Sequence, residues 1–125
     1  MYRTIIVAIA FMMSTIVSAH QFTPTYPVFA PSFVQGVSST KMELFNKRKD
    51  VSYYEIGVYS ASWEPIAFAT EDKLLYVRYL ETKKITVYLK QEDLPKATYI
   101  CSESRLRSEE VTHNAVSSKI CSKIK

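Results

Sequence analysis

The chain has 125 residues, a formal net charge of +4 and only two glycines. This length is typical of one domain, and two glycines are too few for a glycine-rich phosphate-binding loop. The positive residues are mixed with acidic ones, and the densest basic run, residues 47–49, lies in a predicted turn between two strands. We therefore expect a solvated surface and no nucleic-acid partner.

Residues 1–19 have the features of an export signal. Arg3 supplies the positive charge near the start, residues 5–17 are apolar and uncharged, and Val17, Ser18 and Ala19 suit a signal peptidase. The apolar run is shorter than the roughly 18 residues of a membrane-spanning helix. We predict cleavage after Ala19, with a retained anchor as the alternative. The mature chain, residues 20–125, would then be one domain without a membrane span, located in the periplasm or secreted.

Residues 20–34 combine prolines with aromatic residues. The prolines exclude a helix or a central strand because they lack an amide hydrogen and fix φ; they are Pro24, Pro27 and Pro31. The interleaved aromatic residues are Phe22, Tyr26, Phe29 and Phe33. This pattern predicts an irregular edge strand or arm. Its aromatic side chains either pack along the domain or bind a partner protein.

Beyond this arm, residues 40–45, 51–60 and 85–90 alternate apolar and polar side chains with the period of a half-buried β-strand. Residues 74–80 are an apolar run interrupted only by Arg78, and residues 97–101 are extended in character. The predicted strands are residues 40–45, 51–60, 74–80, 85–90 and 97–101. In residues 51–60 the alternation places Tyr53 and Tyr59 on the outward face, so both are candidate partner-binding residues. Trp63 follows and is expected to close one end of the core. Short strands separated by polar turns, without a long helical stripe, predict an all-β sandwich.

Two cysteines, Cys101 and Cys121, lie in the predicted mature chain. An exported chain meets an oxidising environment, so a disulfide between them is expected. If a hairpin turns near Val111, residues whose numbers sum to 222 face each other, and Cys101 lies opposite Cys121. Directly paired residues are close enough for a disulfide. A helix over residues 108–118 is the competing interpretation.

Three stretches resemble the N-terminal immunoglobulin-like domain of periplasmic pilus-assembly chaperones, over about residues 30–102. They are Gly36 with residues 42–46 (MELFN), residues 81–87 (ETKKITV), and residues 94–99 (LPKATY). The resemblance implies an immunoglobulin-like β-sandwich. It also implies a chaperone-like or structural accessory of a pilus, secretion or surface assembly, which pairs with another exported protein along a strand edge.

The chain also departs from this family. Those chaperones hold the terminal carboxylate of their subunit with an arginine in the first strand, whereas residues 20–40 contain no arginine or lysine. Their last strand presents large apolar residues, whereas residues 115–120 offer only Val116 and Ile120. A partner would therefore be held by backbone pairing at a sheet edge, without the family's usual residues.

No catalytic constellation is evident, because the only imidazoles are those of His20 and His113. We predict a non-enzymatic protein without a cofactor. The alternative is copper: cleavage after Ala19 would expose the α-amino group of His20, which could bind copper(II) together with both imidazoles. This layout resembles copper-dependent polysaccharide monooxygenases and small periplasmic copper carriers. Copper binding or copper-dependent oxidation is thus the alternative function.

Overall fold

Alternating apolar residues produce two antiparallel sheets in the computed structural model, which describes residues 19–106 and 117–125. The strands are β1 (Gln21–Thr23), β2 (Ala30–Pro31), β3 (Val37–Phe45), β4 (Tyr53–Tyr59), β5 (Leu74–Tyr76), β6 (Thr82–Lys90), β7 (Tyr99–Arg105) and β8 (Lys119–Lys123). A 3₁₀ turn, Leu94–Lys96, connects β6 to β7. No helix within the described residues is long and apolar enough to span a membrane.

The first sheet is organised around β3. Strand β6 pairs with β3 along its whole length, from Val37 opposite Lys90 to Phe45 opposite Thr82. On the other side of β3, β1 pairs with its end and β2 with its beginning. The second sheet has the order β5-β4-β7-β8.

The core lies between the two sheets and consists of the apolar faces predicted from the sequence. Met42 and Leu44 of β3 are fully buried, as are the aligned residues Ile85, Val87 and Leu89 of β6. In the second sheet the buried residues include Tyr54, Ile56, Val58 and Ile100. Burial of each large aliphatic side chain contributes about 1.5–3 kcal/mol. The predicted all-β sandwich is confirmed.

Two local predictions are wrong. Strand β5 ends at Tyr76 and not at residue 80, because a tight turn follows, in which Leu80 has a φ of 61° and the Glu81 amide bonds the Arg78 carbonyl. Trp63 does not close the core. Its amide bonds the Ser60 carbonyl in a turn, and its ring lies outside the second sheet with half of its surface exposed.

Cysteines 101 and 121 lie directly opposite each other in the β7–β8 pairing and form a disulfide with an S–S distance of 2.06 Å. The register of these strands is the predicted one, in which paired residue numbers sum to 222. The predicted turn near Val111 lies outside the described residues, as does most of the alternative helix over residues 108–118.

Candidate interaction surface

The segment of residues 24–34, called the arm below, is fastened to both sheets. The carbonyls of Thr25 and Pro27 accept hydrogen bonds from the amides of Lys123 and Lys125, both at 3.0 Å. Further along, β2 pairs with β3, and the Ser32 hydroxyl donates to the Val37 carbonyl at 2.7 Å. The prolines limit backbone freedom between these points. The arm is therefore held in one conformation along its length.

Although its backbone is fixed, the arm leaves four apolar side chains uncovered. Phe33 is 91% exposed and Tyr26 is 63% exposed, and Val28 and Val34 of the same segment are also exposed. These four residues are called the arm surface below. Folding gains nothing from exposed apolar side chains, and grouped ones commonly mark binding sites.

The other two aromatic candidates of this segment contribute to packing. Phe22 is 5% exposed, because β1 places it opposite Leu44 on the inner face of the first sheet. It is part of the core and offers no surface to a partner, so its assignment as a contact residue is corrected. Phe29 is half-buried and packs against the core.

The two candidate tyrosines of β4 lie on the outer face of the second sheet, as alternation requires. The ring of Tyr53 is 5.3 Å from that of Tyr76 in β5. The ring of Tyr59 contacts Trp63, which stacks on Tyr99 with parallel rings 4.3 Å apart. Both tyrosines are half-buried by these neighbours. They form two aromatic clusters on this face, one beside β5 and one beside β7.

His20, the candidate copper ligand, is buried at one end of the sandwich. Its Nε2 lies 2.7 Å from the Ser102 hydroxyl and its Nδ1 3.1 Å from the Ser118 hydroxyl, and its ring packs on Tyr54 at 4.5 Å. The pKa of the imidazole is lowered from 6.5 to about 4, chiefly by burial; the hydrogen bond with Ser102 opposes this shift and the charge of Arg48 adds to it. The neutral ring therefore joins the residue before β1 to β7 and to Ser118, which directly precedes β8.

A copper ion at His20 would have to displace one of these serine hydroxyls. The second candidate ligand, His113, lies outside the described residues. Within residues 19–106 and 117–125, no group of three or more metal-binding side chains comes together. The copper hypothesis remains a prediction.

The sequence did not indicate a second buried polar side chain besides that of His20, namely the side chain of Asn46. Its Nδ2 donates to the carbonyls of Val51 and Val77, at 2.8 and 2.9 Å. Its Oδ1 accepts from the Arg48 amide at 2.9 Å and from the Tyr54 hydroxyl at 2.6 Å. An asparagine at a strand end predicts a turn, but the long-range partners are visible only in the fold.

Three sheet edges differ in how well they are covered. Tyr88 of β6 exchanges both backbone bonds with Ala69, and the Glu71 carboxylate accepts the Thr86 amide at 3.0 Å. At β8 the arm accepts the amides of Lys123 and Lys125. At β5, by contrast, no described residue bonds the outward backbone groups.

Comparison with known proteins places this architecture among immunoglobulin-like β-sandwiches. A solved structure with a similar fold is the crystal structure of the E. coli chaperone DraB, with a TM-score of 0.65 and 16% sequence identity. The match covers 85% of this chain and 53% of the DraB chain, so this chain spans about half the length of that chaperone. No family model and no curated protein matches the sequence.

Proposed function

We propose that this protein is an exported, non-enzymatic interaction module, a chaperone-like or structural accessory of a pilus, secretion or surface assembly. The observation that carries the proposal is the arm surface: a backbone fastened at both ends that holds Tyr26 and Phe33 uncovered. A rigid apolar surface binds with little loss of conformational entropy. Another exported protein would place apolar side chains on it.

The similarity in fold to a chaperone supports this proposal. Of the two serine hydroxyls that bond His20, that of Ser118 is part-buried and that of Ser102 is buried; the buried Ser102–His20 pair supports the non-enzymatic part of the proposal. Ser102 has no exposed surface and His20 is 2% exposed, so a substrate could not reach this pair in the folded chain.

The arm departs from the expected mode of binding in one respect. Proline at position 31 has no amide hydrogen, so β2 is a poor template for a partner's strand. Recognition at the arm would therefore use side chains, and strand pairing would use another edge.

The test is co-purification of the tagged protein from its own host, comparing the wild type with the double variant Tyr26→Ser/Phe33→Ser. We expect an exported partner with the wild type and at least a tenfold lower yield (about 1.4 kcal/mol) with the double variant. The melting temperature should not change, because both side chains are exposed. Leu80→Ser is the matched control, since it removes an exposed apolar residue outside the arm. Equal recovery of the partner with the arm variant would refute the proposal.

A further inference from the structure

Strand β5 is an edge of the second sheet, and no strand of the described residues pairs with its outer side. Its pairing with β4 uses the amide of Val77 and the carbonyl of Lys73, which bond Ser52 and Ile56. In an antiparallel ladder the backbone groups of every second residue face the partner strand, so those of Lys73, Leu75 and Val77 face β4 and those of the residues between them face away. The amides and carbonyls of Leu74 and Tyr76 therefore point outward, and within the described part of the chain nothing bonds them.

The side chains of this edge are apolar and exposed. Leu74 and Tyr76 are each about half exposed, at 52% and 51%, on the outer face of the sheet, while Leu75 between them is buried in the core. Natural proteins usually protect such an edge with charges, proline or a covering segment. Here neither a proline nor a described segment covers these two residues.

The sequence of this edge is complementary to itself in one antiparallel register. The outward groups of one copy must meet the outward groups of the other. The register that pairs both Leu74 and Tyr76 of each copy places Leu74 opposite Tyr76 of the second copy, so paired residue numbers sum to 150. Extending this register by two residues, just beyond the ends of β5, places the acidic Asp72 opposite the basic Arg78 of the second copy. Two-fold symmetry repeats both pairs.

We propose that two copies of this chain form a symmetric dimer through β5, which joins their four-stranded sheets into one continuous sheet. The backbone groups of Leu74 and Tyr76 supply the hydrogen bonds of the new ladder. Their side chains pack across the junction beside Tyr53, which already contacts Tyr76. The two Asp72–Arg78 pairs fix the register, because a shift of either copy separates them.

The charges favour a second copy at this edge, because the register that aligns Leu74 with Tyr76 also aligns Asp72 with Arg78. Arg78 is 73% exposed in its side chain, and it bonds Glu81 at 2.8 Å while it still faces solvent. Asp72 is also exposed. This surface is distinct from the arm, so the dimer goes beyond the proposed function and does not depend on it.

A charge exchange tests the dimer by sedimentation velocity on the processed chain. The wild type should show a concentration-dependent dimer. Asp72→Lys alone and Arg78→Glu alone should each weaken dimerisation by at least about tenfold, because both pairs become repulsive. An equimolar mixture of the two variants should form a heterodimer with wild-type affinity, since every opposed pair is again of opposite sign.

Two controls separate this result from unfolding and from the arm. Glu92→Lys makes the same change in net charge as Asp72→Lys on the exposed β6–β7 connection and should remain dimeric. Tyr26→Ser/Phe33→Ser should also remain dimeric. A wild type that stays monomeric at all concentrations, or a mixture of the charge variants that stays monomeric, would overturn the proposal. A dimer whose affinity neither single variant lowers, such as one that forms through the arm, would also overturn the proposal.

Discussion

Replacing Asn46 with alanine should destabilise the fold far more than the loss of one exposed turn residue. The substitution would leave four buried groups without the hydrogen bond that they make to Asn46. These are the carbonyls of Val51 and Val77, the Arg48 amide and the Tyr54 hydroxyl. Asn46 has no exposed surface, so water does not reach these groups without a change in structure. A buried polar group that loses its partner costs about 1–3 kcal/mol. At the low end of that range for each group, we expect a loss of about 4 kcal/mol.

The measurement is equilibrium unfolding in urea with the disulfide intact. Tyr54→Phe is the matched control, since it removes one hydroxyl and one hydrogen bond and should cost about 1 kcal/mol. The double variant Asn46→Ala/Tyr54→Phe should be no less stable than Asn46→Ala, because the unpaired hydroxyl is gone. If Asn46→Ala costs less than about 1 kcal/mol, or if the two losses add, the buried network does not have the role that its distances imply.

Three further predictions concern single sites. Removing the disulfide as Cys101→Ser/Cys121→Ser should lower the unfolding free energy by about 3 kcal/mol and leave the far-ultraviolet spectrum that of a β protein; non-reducing peptide mapping of the wild type checks the bond. Because the folded state of His20 takes up its proton only near pH 4 and the unfolded state near 6.5, stability should fall as the pH is lowered across that interval. His20→Gln should flatten this dependence, and an unchanged slope would contradict the buried position. A Cβ at Gly57 would lie 2.5 Å from the Tyr59 hydroxyl oxygen and 2.8 Å from two carbons of its ring. Gly57→Ala should therefore displace this ring at a cost of about 1–3 kcal/mol and change the emission of the single tryptophan.

The strands could be predicted from the sequence where burial on one face imposes a period of two. Residues 85–90 and 53–59 follow that period, and their buried positions are the predicted ones. The β7–β8 register could be derived from arithmetic on Cys101 and Cys121 because paired residues are the ones that a disulfide can join. These features depend on residues that are close along the chain or linked by a covalent bond.

The remaining features depend on contacts that no local pattern encodes. The aromatic content of residues 20–34 does not distinguish Phe22, which faces Leu44, from Phe33, which faces solvent. Nor does the sequence show that His20 bonds two distant serines, Ser102 in β7 and Ser118 just before β8. The apolar run over residues 74–80 predicts a longer strand, but the following turn ends it, and this leaves β5 short, with no described residue bonded to its outward backbone groups.

The attachment of the arm to the last strand has a consequence for the order of folding. His20 bonds Ser118, which is 98 residues later, and Thr25 and Pro27 bond Lys123 and Lys125. A chain that emerges N-terminus first, from a ribosome or a translocation channel, cannot make these contacts until its final strand arrives. Contacts between such distant residues form slowly. A binding protein that meets the emerging chain therefore encounters a loose arm, whereas one that meets the finished domain encounters a rigid arm.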